Sequence, residues 1–583
     1  MMFVDLKWGG LAVLALACTL ARAADDAVTY EAFGAAGDGK TDDQAAIVRA
    51  HAEANRRNVP VRAGDGKTYY IGPGTAVATV KTDVDFGTAK FIIDDTRVPV
   101  AQRGSPIFDI APGATPVAVK GVTKLTRGQA NLGVPLAAPS LVFVRNQNVR
   151  QYIRLGANQN NGFPQQEVVL VAADGTLDAR TPLVWDFDAV TALTALPLDA
   201  KPLVIRGGFF TTIANQAESK YTYYKRNFAI RRSNVRIEGL RHDIRGEGDH
   251  GAPYDGFLSI SRCANVTVTG CVFTAHKTYR TIGSAGVPVQ MGSYDLTVNS
   301  SVNVSFLDCR QTTDILDRRY WGLLGSNYSK NLLYDGCTFS RFDAHMGVAH
   351  ATIRNSKLGY MGINAIGFGT FTVENSTVYG WNFFNLRSDY GSTWEGDFIV
   401  RNCTFVPHGG RAATGTLVGG SNDGQHDFGY VCHMPRRIVF DGLHIDDANH
   451  PAAYDGPAIF GNFSPKNTSP AYVEKFPYKI TEEVVLRNVT TASGKPVMSL
   501  GIAVNDRRRN PETGEWEEFP NFFNCTMFGT RGEQLGELLA KGDKVVIEGS
   551  LRYSQWETKD GERRSNIEII IEEVEFLRIH AFE

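Results

Sequence analysis

The sequence lacks several features that would have narrowed its function at once. Charge is nearly balanced: 60 Lys plus Arg against 62 Asp plus Glu give a net charge of -2, so there is no overall pull towards nucleic acid or anionic membranes. No apolar run is long enough to span a bilayer comfortably. The N-terminal stretch WGGLAVLALACTL follows Lys7 and precedes Ala21-Arg22-Ala23, the layout of an export signal with an A-x-A cleavage site. Residues 1–23 are therefore expected to be a signal peptide, and the mature protein to be secreted or periplasmic. Close cysteine pairs are also missing. The eight cysteines, at 18, 263, 271, 309, 337, 403, 432 and 525, have no zinc-site spacing, and neither a metal site nor a cofactor is expected from them.

What the chain has instead is repetition. The fragments NVRIEGLRH (234–242), NVTVTGCVF (265–273), NVSFLDCRQ (303–311), NLLYDGCTF (331–339), HATIRNSKL (350–358), TFTVENSTV (370–378), DFIVRNCTF (397–405), RIVFDGLHI (437–445) and EEVVLRNVT (482–490) share one grammar. Each has a short alternating apolar strand, a polar pair that often holds Asn or Gly, then Cys, Ser or an apolar residue. The last position falls at Cys271, Cys309, Cys337, Ser356, Ser376, Cys403 and Leu443, with the tightest spacings 19 and 20 residues. Stacked coils that bury a common core explain this pattern, and the cysteines then form an inward ladder of small side chains. The expected fold is all-β, a parallel β-helix.

Residues 33–47, FGAAGDGKTDDQAAI, contain G-x-x-x-x-G-K-T at Gly34–Thr41, the spelling of a phosphate-binding loop. Asp38, Asp42 and Asp43 would repel a phosphate there. They suit a helix start instead, with Thr41 and Gln44 as an expected capping box. The preceding VTYEAF reads as a strand. The same stretch resembles the opening motif of the pectate lyase/polygalacturonase-like right-handed parallel β-helix superfamily, and RNVPVRAGDGKTYYIG resembles its next strands. The resemblance covers about residues 28–490, with 95–230 fitting less well and read as a β-rich elaboration. It implies a short N-terminal capping helix and a surface groove that binds and cleaves polysaccharide, acidic glycans being among the expected substrates. The N-T-D, D-D and G-H-G series of polygalacturonases and the calcium-binding aspartates of pectate lyases are not found in order.

Candidate chemistry comes from four polar, aromatic segments between 309 and 403, expected to lie side by side on one face. Asp317, Asp343, His345 and Asp389 are the candidate catalytic residues. Arg319, Tyr320, Trp321, Arg341, Asn364, Asn385, Arg387, Tyr390, Trp394 and Glu395 are candidate substrate-binding residues, with Asp295 one turn earlier. Hydrolysis needs two carboxyl groups, roughly 5 Å apart for retention or about 6.5–9.5 Å for inversion. Asp343 and Asp389, two turns apart, would be separated by roughly 10 Å if they share a column. Elimination from a uronate instead needs a base such as His345 beside Arg341 and Arg387, with a calcium ion in attendance if the enzyme is a lyase. Hydrolysis is the first expectation. Elimination and glycan binding without turnover stay open.

After Thr491 the grammar changes. GIAVNDRR, FFNCTMFG, GDKVVIEGSLRYSQW and EEVEFL closely resemble bacterial single-stranded DNA-binding proteins over about residues 492–577, which implies a small OB-type barrel within residues 492–583. By that resemblance Phe522, Phe528 and Trp556 would stack on bases, with Trp516 on a hairpin and Arg552 among the arginines meeting phosphates (Arg507, Arg508, Arg509, Arg563 and Arg564 being others). Phe523 reads equally well as barrel core. Residues 497–583 carry 17 acids against 11 Lys plus Arg, so affinity would depend on local placement. The family's first strand is expected to be missing or replaced, leaving a truncated barrel with an exposed edge, because EEVVLRN cannot serve both as a last coil and as a barrel strand. Such a module belongs in the cytoplasm, whereas the leader directs export. The sequence therefore reads as a chimera joined near TTASGKP.

Overall fold

The computed structural model describes residues 27–217, 223–248, 254–322, 324–411, 415–422, 424–451, 456–463, 469–492, 497–509, 514–528, 530–540, 542–557 and 563–576. The expected signal peptide lies outside them. Most of the chain winds into a parallel β-helix, and one inward column shows how. Val84, Ile205, Ile237, Val268, Phe306, Tyr334, Ile353, Val373, Val400, Phe440 and Leu486 lie in successive register, one per coil. All but Leu486 are buried, each contributing on the order of 1.5–3 kcal/mol.

The corners are set by asparagine. Asn234, Asn265, Asn303 and Asn331 adopt positive φ at one corner, and Asn355, Asn375, Asn402 and Asn488 at the next. Asparagine tolerates this left-handed backbone better than other side-chain-bearing residues. At the first corner the amides also stack: each Nδ2 donates to the Oδ1 one coil back, at 2.9 Å for Asn265–Asn234, Asn303–Asn265 and Asn331–Asn303. The Cys–Ser ladder lies inside. Cys271, Cys309, Cys337 and Cys403 are buried and free, and the Ser356 hydroxyl accepts the Cys337 N–H at 2.9 Å.

The helix Gln44–Arg57 buries Ala46, Ile47, Ala50, His51 and Ala54 against the first coil, with the Tyr30 hydroxyl 3.0 Å from His51 Nε2. Two local expectations are corrected. VTYEAF is a strand only at Val28–Thr29 and continues as a 3-10 turn, Glu31–Phe33. There is no Thr41–Gln44 capping box, because Asp43 is the N-cap, the Thr41 hydroxyl donates to Asp38 at 2.9 Å, and the Gln44 amide donates to Ala76 O at 2.6 Å. The Asp43 carboxylate turns back into the glycine loop and accepts Ala36 N–H and Gly37 N–H at 2.6 and 3.2 Å. Asp38 accepts those of Lys40 and Thr41 at 2.8 Å. The donors that would cradle a phosphate are thus occupied by the loop's own carboxylates.

Within 95–230, Phe108–Ile110 and Leu203–Ile213 run in the coils. The inserted part is a four-stranded antiparallel sheet of Val117–Ala118, Ser140–Gln151, Phe163–Val171 and Ala192–Pro197. Period-2 alternation gives it two apolar faces. Val142, Val144 and Val169 join Leu125, Leu183 and Phe187 in a core of its own, while Leu141, Phe143, Val168 and Leu170 pack on Ala264 and Val302 of the β-helix.

The last coil strand, Glu483–Arg487, pairs with Arg437–Ile445. Beyond it, Val497–Arg509, Trp516–Phe528, Arg563–Phe576 and Val545–Glu557 form a separate sheet in that spatial order. The helix Thr530–Leu538 accompanies it, and Met498, Cys525, Met527, Leu535, Ile571 and Val574 make its core. As expected, this is an OB-type sheet, with four strands rather than five among the described residues.

Candidate functional site

The segments between 309 and 403 do converge, around one guanidinium. Register places Asp343, Asn364 and Asn385 on adjacent coils, with Asn385 Nδ2 donating to Asn364 Oδ1 at 2.8 Å. Arg387, two residues further along, reaches back to Asp343 at 3.2 Å and forward to Asp389 at 2.9 Å. The two acids thus flank one side chain, which the coil count alone did not reveal. Asp343 is fully buried and also pairs with Arg341 at 2.7 Å. Asp389 also pairs with Arg154 at 2.8 Å.

Burial would raise the Asp343 carboxyl, but the charges of Arg341 and then Arg387 hold it below the ordinary range. Asp389 is likewise lowered against its burial, chiefly by Arg387. His345 is lowered to about 3 by burial and then by Arg387, so its ring is neutral at neutral pH. Asn327 donates to Asn299 at 2.6 Å, which leaves its oxygen to face His345 Nδ1 at 2.9 Å. That assigns the ring proton to Nδ1 and makes Nε2, 3.4 Å from the Tyr390 hydroxyl, the acceptor.

Arg341 is buried beneath Trp321, its guanidinium 4.8 Å from the ring centre, and its Nε and Nη1 have no hydrogen-bond partner. The Trp321 indole N–H donates to Tyr294 at 3.2 Å, and the Tyr294 hydroxyl reaches Asp343 at 3.3 Å. Three guanidinium groups therefore face two carboxylates.

The remaining candidates lie elsewhere. Trp394 is a core residue against Phe371 and Phe398, its indole N–H on Gly369 O at 2.8 Å. Tyr390 is the exception, its buried ring inside the cluster beside His345 and Arg387. Glu395 pairs with Arg127 of the insertion and lies 3.8 Å from His433. Asp317 pairs with the exposed Arg319 at 2.6 Å, whose hydrogen bonds lower its carboxyl; Tyr320 follows, half-buried. Asp317 and Asp343 thus pair with different arginines. Asp295 sits in a second, buried cluster, 2.6 Å from His242 Nδ1 and 3.1 Å from His276 Nε2. His276 also meets Glu247 at 3.2 Å. Burial would lower His276, but its hydrogen bonds to Asp295 and Glu247 raise it to about 9. Asp295 is lowered to about 2 against its burial, first by His242.

Sequence reasoning missed Arg154 and Tyr152, which the insertion lays over this face: Arg154 lies 5.3 Å over the Tyr390 ring, and Tyr152 packs on Tyr328, Tyr390 and Tyr430. Nothing in the RQYIR segment signals that contact. Among the described residues no group of three His, Cys, Asp or Glu is placed to hold a metal ion. Asp343 and Asp389, already shared among guanidinium groups, do not fit a calcium ion.

In the tail, the Val497–Arg509 and Trp516–Phe528 strands pair so that Arg509 faces Trp516 and Ala503 faces Phe522. Trp516 is 67% exposed and Phe523 37% exposed; Arg507, Arg508 and Arg509 are exposed. The side chains of Phe522, Phe528, Arg552, Trp556, Arg563 and Arg564 lie outside the described residues.

Residues 479–577 match the model of the single-strand binding protein family. The single-stranded DNA-binding protein of Borreliella burgdorferi is 37% identical over 86 residues, 15% of this chain and 56% of that protein. That of Treponema pallidum is 37% identical over 87 residues, 15% and 48%. The chain spans about half the length of the curated relatives it matches. Among solved structures, the tailspike of Pseudomonas phage phi297 aligns over 91% of each chain at 13% identity and a TM-score of 0.43. No helix among the described residues is long and apolar enough to cross a membrane.

Proposed function

We propose that the tail is a single-stranded DNA-binding module carried on a β-helix that binds glycan. The observation that carries the first part is the 37% identity to single-stranded DNA-binding proteins over 86 residues of the tail. The exposed Trp516 directly across from Arg509 supplies a stacking face beside a phosphate partner, the pairing that sequence-tolerant binding needs. Titrating the full chain with oligo(dT) while following tryptophan emission tests it. Binding should weaken with salt, log K falling by about 0.7 per phosphate contacted for each tenfold rise in salt. No binding at low salt would refute it.

For the β-helix, the Arg387 clamp favours glycan binding or elimination over hydrolysis. A general acid must carry a proton near working pH, yet Asp343, Asp389 and Asp317 are all lowered by arginine. His345 Nε2 is free to accept a proton beside Arg341 and Arg387, but burial lowers the ring to about 3 and makes it a weak base, which puts glycan binding ahead of elimination. Exposure to a polysaccharide panel separates the readings. Elimination leaves an ultraviolet-absorbing unsaturated product, hydrolysis leaves only new reducing ends, and binding leaves neither. Failure to bind any member refutes the glycan reading.

A further inference from the structure

The tail sheet is open in an unusual way. Val497–Arg509 runs antiparallel to Trp516–Phe528, which runs parallel to Arg563–Phe576, which runs antiparallel to Val545–Glu557. The two outer strands, Val497–Arg509 and Val545–Glu557, therefore point the same way. Among the described residues neither has a partner on its outer edge. One strand antiparallel to both would bridge the two edges and close the sheet into the five-stranded barrel of an OB fold.

The family match begins at residue 479, well before the first tail strand. Among the described residues of 479–577 there are five strands of five residues or more, and the one outside the tail sheet is Glu483–Arg487. It pairs instead, in parallel, with Arg437–Ile445 of the β-helix. Its inward residue Leu486 is the least enclosed of the column. Val484 and Leu486 are only half-buried, whereas their partners Ile438 and Phe440 are fully enclosed. The ties of the segment are an Arg437–Glu483 pair at 2.6 Å, an Asn488–Asp441 hydrogen bond at 3.2 Å and a His444–Thr490 contact at 3.0 Å, all at least partly exposed and so worth little, with Ala492 N–H on Asp447 at 3.1 Å just beyond it and Val489 and Thr491 as its buried residues. Only residues 492–496 separate Thr490–Thr491 from Val497. A five-residue link is a hairpin length, and the coil strand already lies against Val497–Arg509 without pairing with it.

We propose that residues Glu483–Thr491 exchange between two places, the last coil of the β-helix and the gap between Val497–Arg509 and Val545–Glu557, and that single-stranded DNA is bound by the second form. The inference rests on the DNA-binding reading of the tail. It makes the two halves of the chain compete for one strand, so that closing the barrel uncaps the β-helix. The apparent DNA affinity is then the barrel's own affinity scaled by the fraction of molecules in the closed form, and DNA draws the strand out of the coil.

A reversible lock tests this in the full chain. Val439 and Val485 are register partners, and both lie outside the central core while their neighbours Ile438 and Phe440 lie within it. Neighbouring strands about 4.8 Å apart can be bridged by a disulfide. The V439C/V485C protein, oxidised, holds the strand in the coil; reduced, it is its own folding control. The expected result is wild-type binding of oligo(dT) when reduced and a loss of about tenfold or more when oxidised. Equal binding in both states, with the cross-link confirmed, overturns the proposal.

Hydrogen exchange gives a second readout without DNA. Locking should speed amide exchange along both Val497–Arg509 and Val545–Glu557, the strands that lose a partner, whereas simple fraying of the last coil would leave them unchanged. Unchanged exchange there overturns the exchange of the strand. If wild-type protein binds no oligo(dT) yet locking speeds exchange in both strands, the strand exchange stands and the DNA-binding reading falls.

Discussion

Among the ties that hold the insertion to the β-helix is a buried ion pair, and breaking it should be measurable. Lys330, on the coil strand Leu324–Asp335, lies 2.6 Å from Glu167 of the inserted sheet, their side chains 3% and 4% exposed. Glu167 also accepts the N–H groups of Val184 and Trp185 at 3.0 and 2.7 Å, and Lys330 donates to Pro182 O at 2.5 Å. Burial is the leading influence on Lys330 and lowers it despite Glu167, so the pair is held at a desolvation cost. Lys330→Met removes the cation but leaves a buried carboxylate, which should cost about 3–5 kcal/mol. Adding Glu167→Gln removes the stranded charge while keeping an oxygen for Val184 and Trp185. The double variant should recover to within about 1–2 kcal/mol of wild type. Urea unfolding, with limited proteolysis between residues 172 and 182 as a probe of docking, reads both. A single variant within 1 kcal/mol of wild type, or a double variant as unstable as the single one, would refute the reasoning that the pair is a buried charge couple.

Three further outcomes are expected. His276 sits at about 9 in the fold against about 6.5 when unfolded; its raised value stabilises the protein fully below the unfolded figure, and that contribution fades as pH rises through 9. The loss amounts to about 3 kcal/mol. Melting followed above pH 7 should show this slope, and His276→Gln should flatten it; Asp95, raised to about 7 mainly by burial, acts in the same direction only at lower pH. Trp516→Ala should weaken oligo(dT) binding by the worth of one stacked base, about 1–3 kcal/mol, with melting temperature unchanged because the ring is 67% exposed. Arg387→Met should destabilise the protein by about 3 kcal/mol, since both Asp343 and Asp389 lose a partner, and calorimetry or urea unfolding would show it.

The β-helix was legible because every coil repeats the same chemistry at the same place. Asparagine at left-handed corners, apolar residues facing in one and three positions after Asn234, Asn265, Asn303 and Asn331, and Cys or Ser after the next corner of the middle coils are local signals that recur from coil to coil. The insertion was less legible because its strands bury two apolar faces, so SLVFV and EVVLV carry no alternation of polar and apolar residues that would tell which face meets the coil. The helix cap was expected two residues too early because Asp38 takes the Thr41 amide and Asp42 the Gln44 amide that a capping box would use. No propensity rule ranks such rivals without coordinates.

The candidate site shows where reading residues by type stops. Aromatic, arginine and carboxylate side chains gathered on successive coils were expected to line an open trough, and they do gather, around Arg387. What sequence could not show is that residues about 235 positions upstream of Asp389 cover them. Arg154 supplies Asp389 with its second cation, and Tyr152 fills the space beside Tyr390, so part of the expected trough is the contact surface between insertion and coil. Side chains suited to hold a charged sugar are equally suited to hold one another. Burial decides between the two uses, because a carboxylate enclosed with two guanidinium groups exchanges partners only if an entering ligand replaces both the charge and the hydrogen bonds. Arg341 is the exception that keeps a ligand-binding role open to this cluster: it is buried, it exceeds the local negative charge, and two of its nitrogens lack an acceptor.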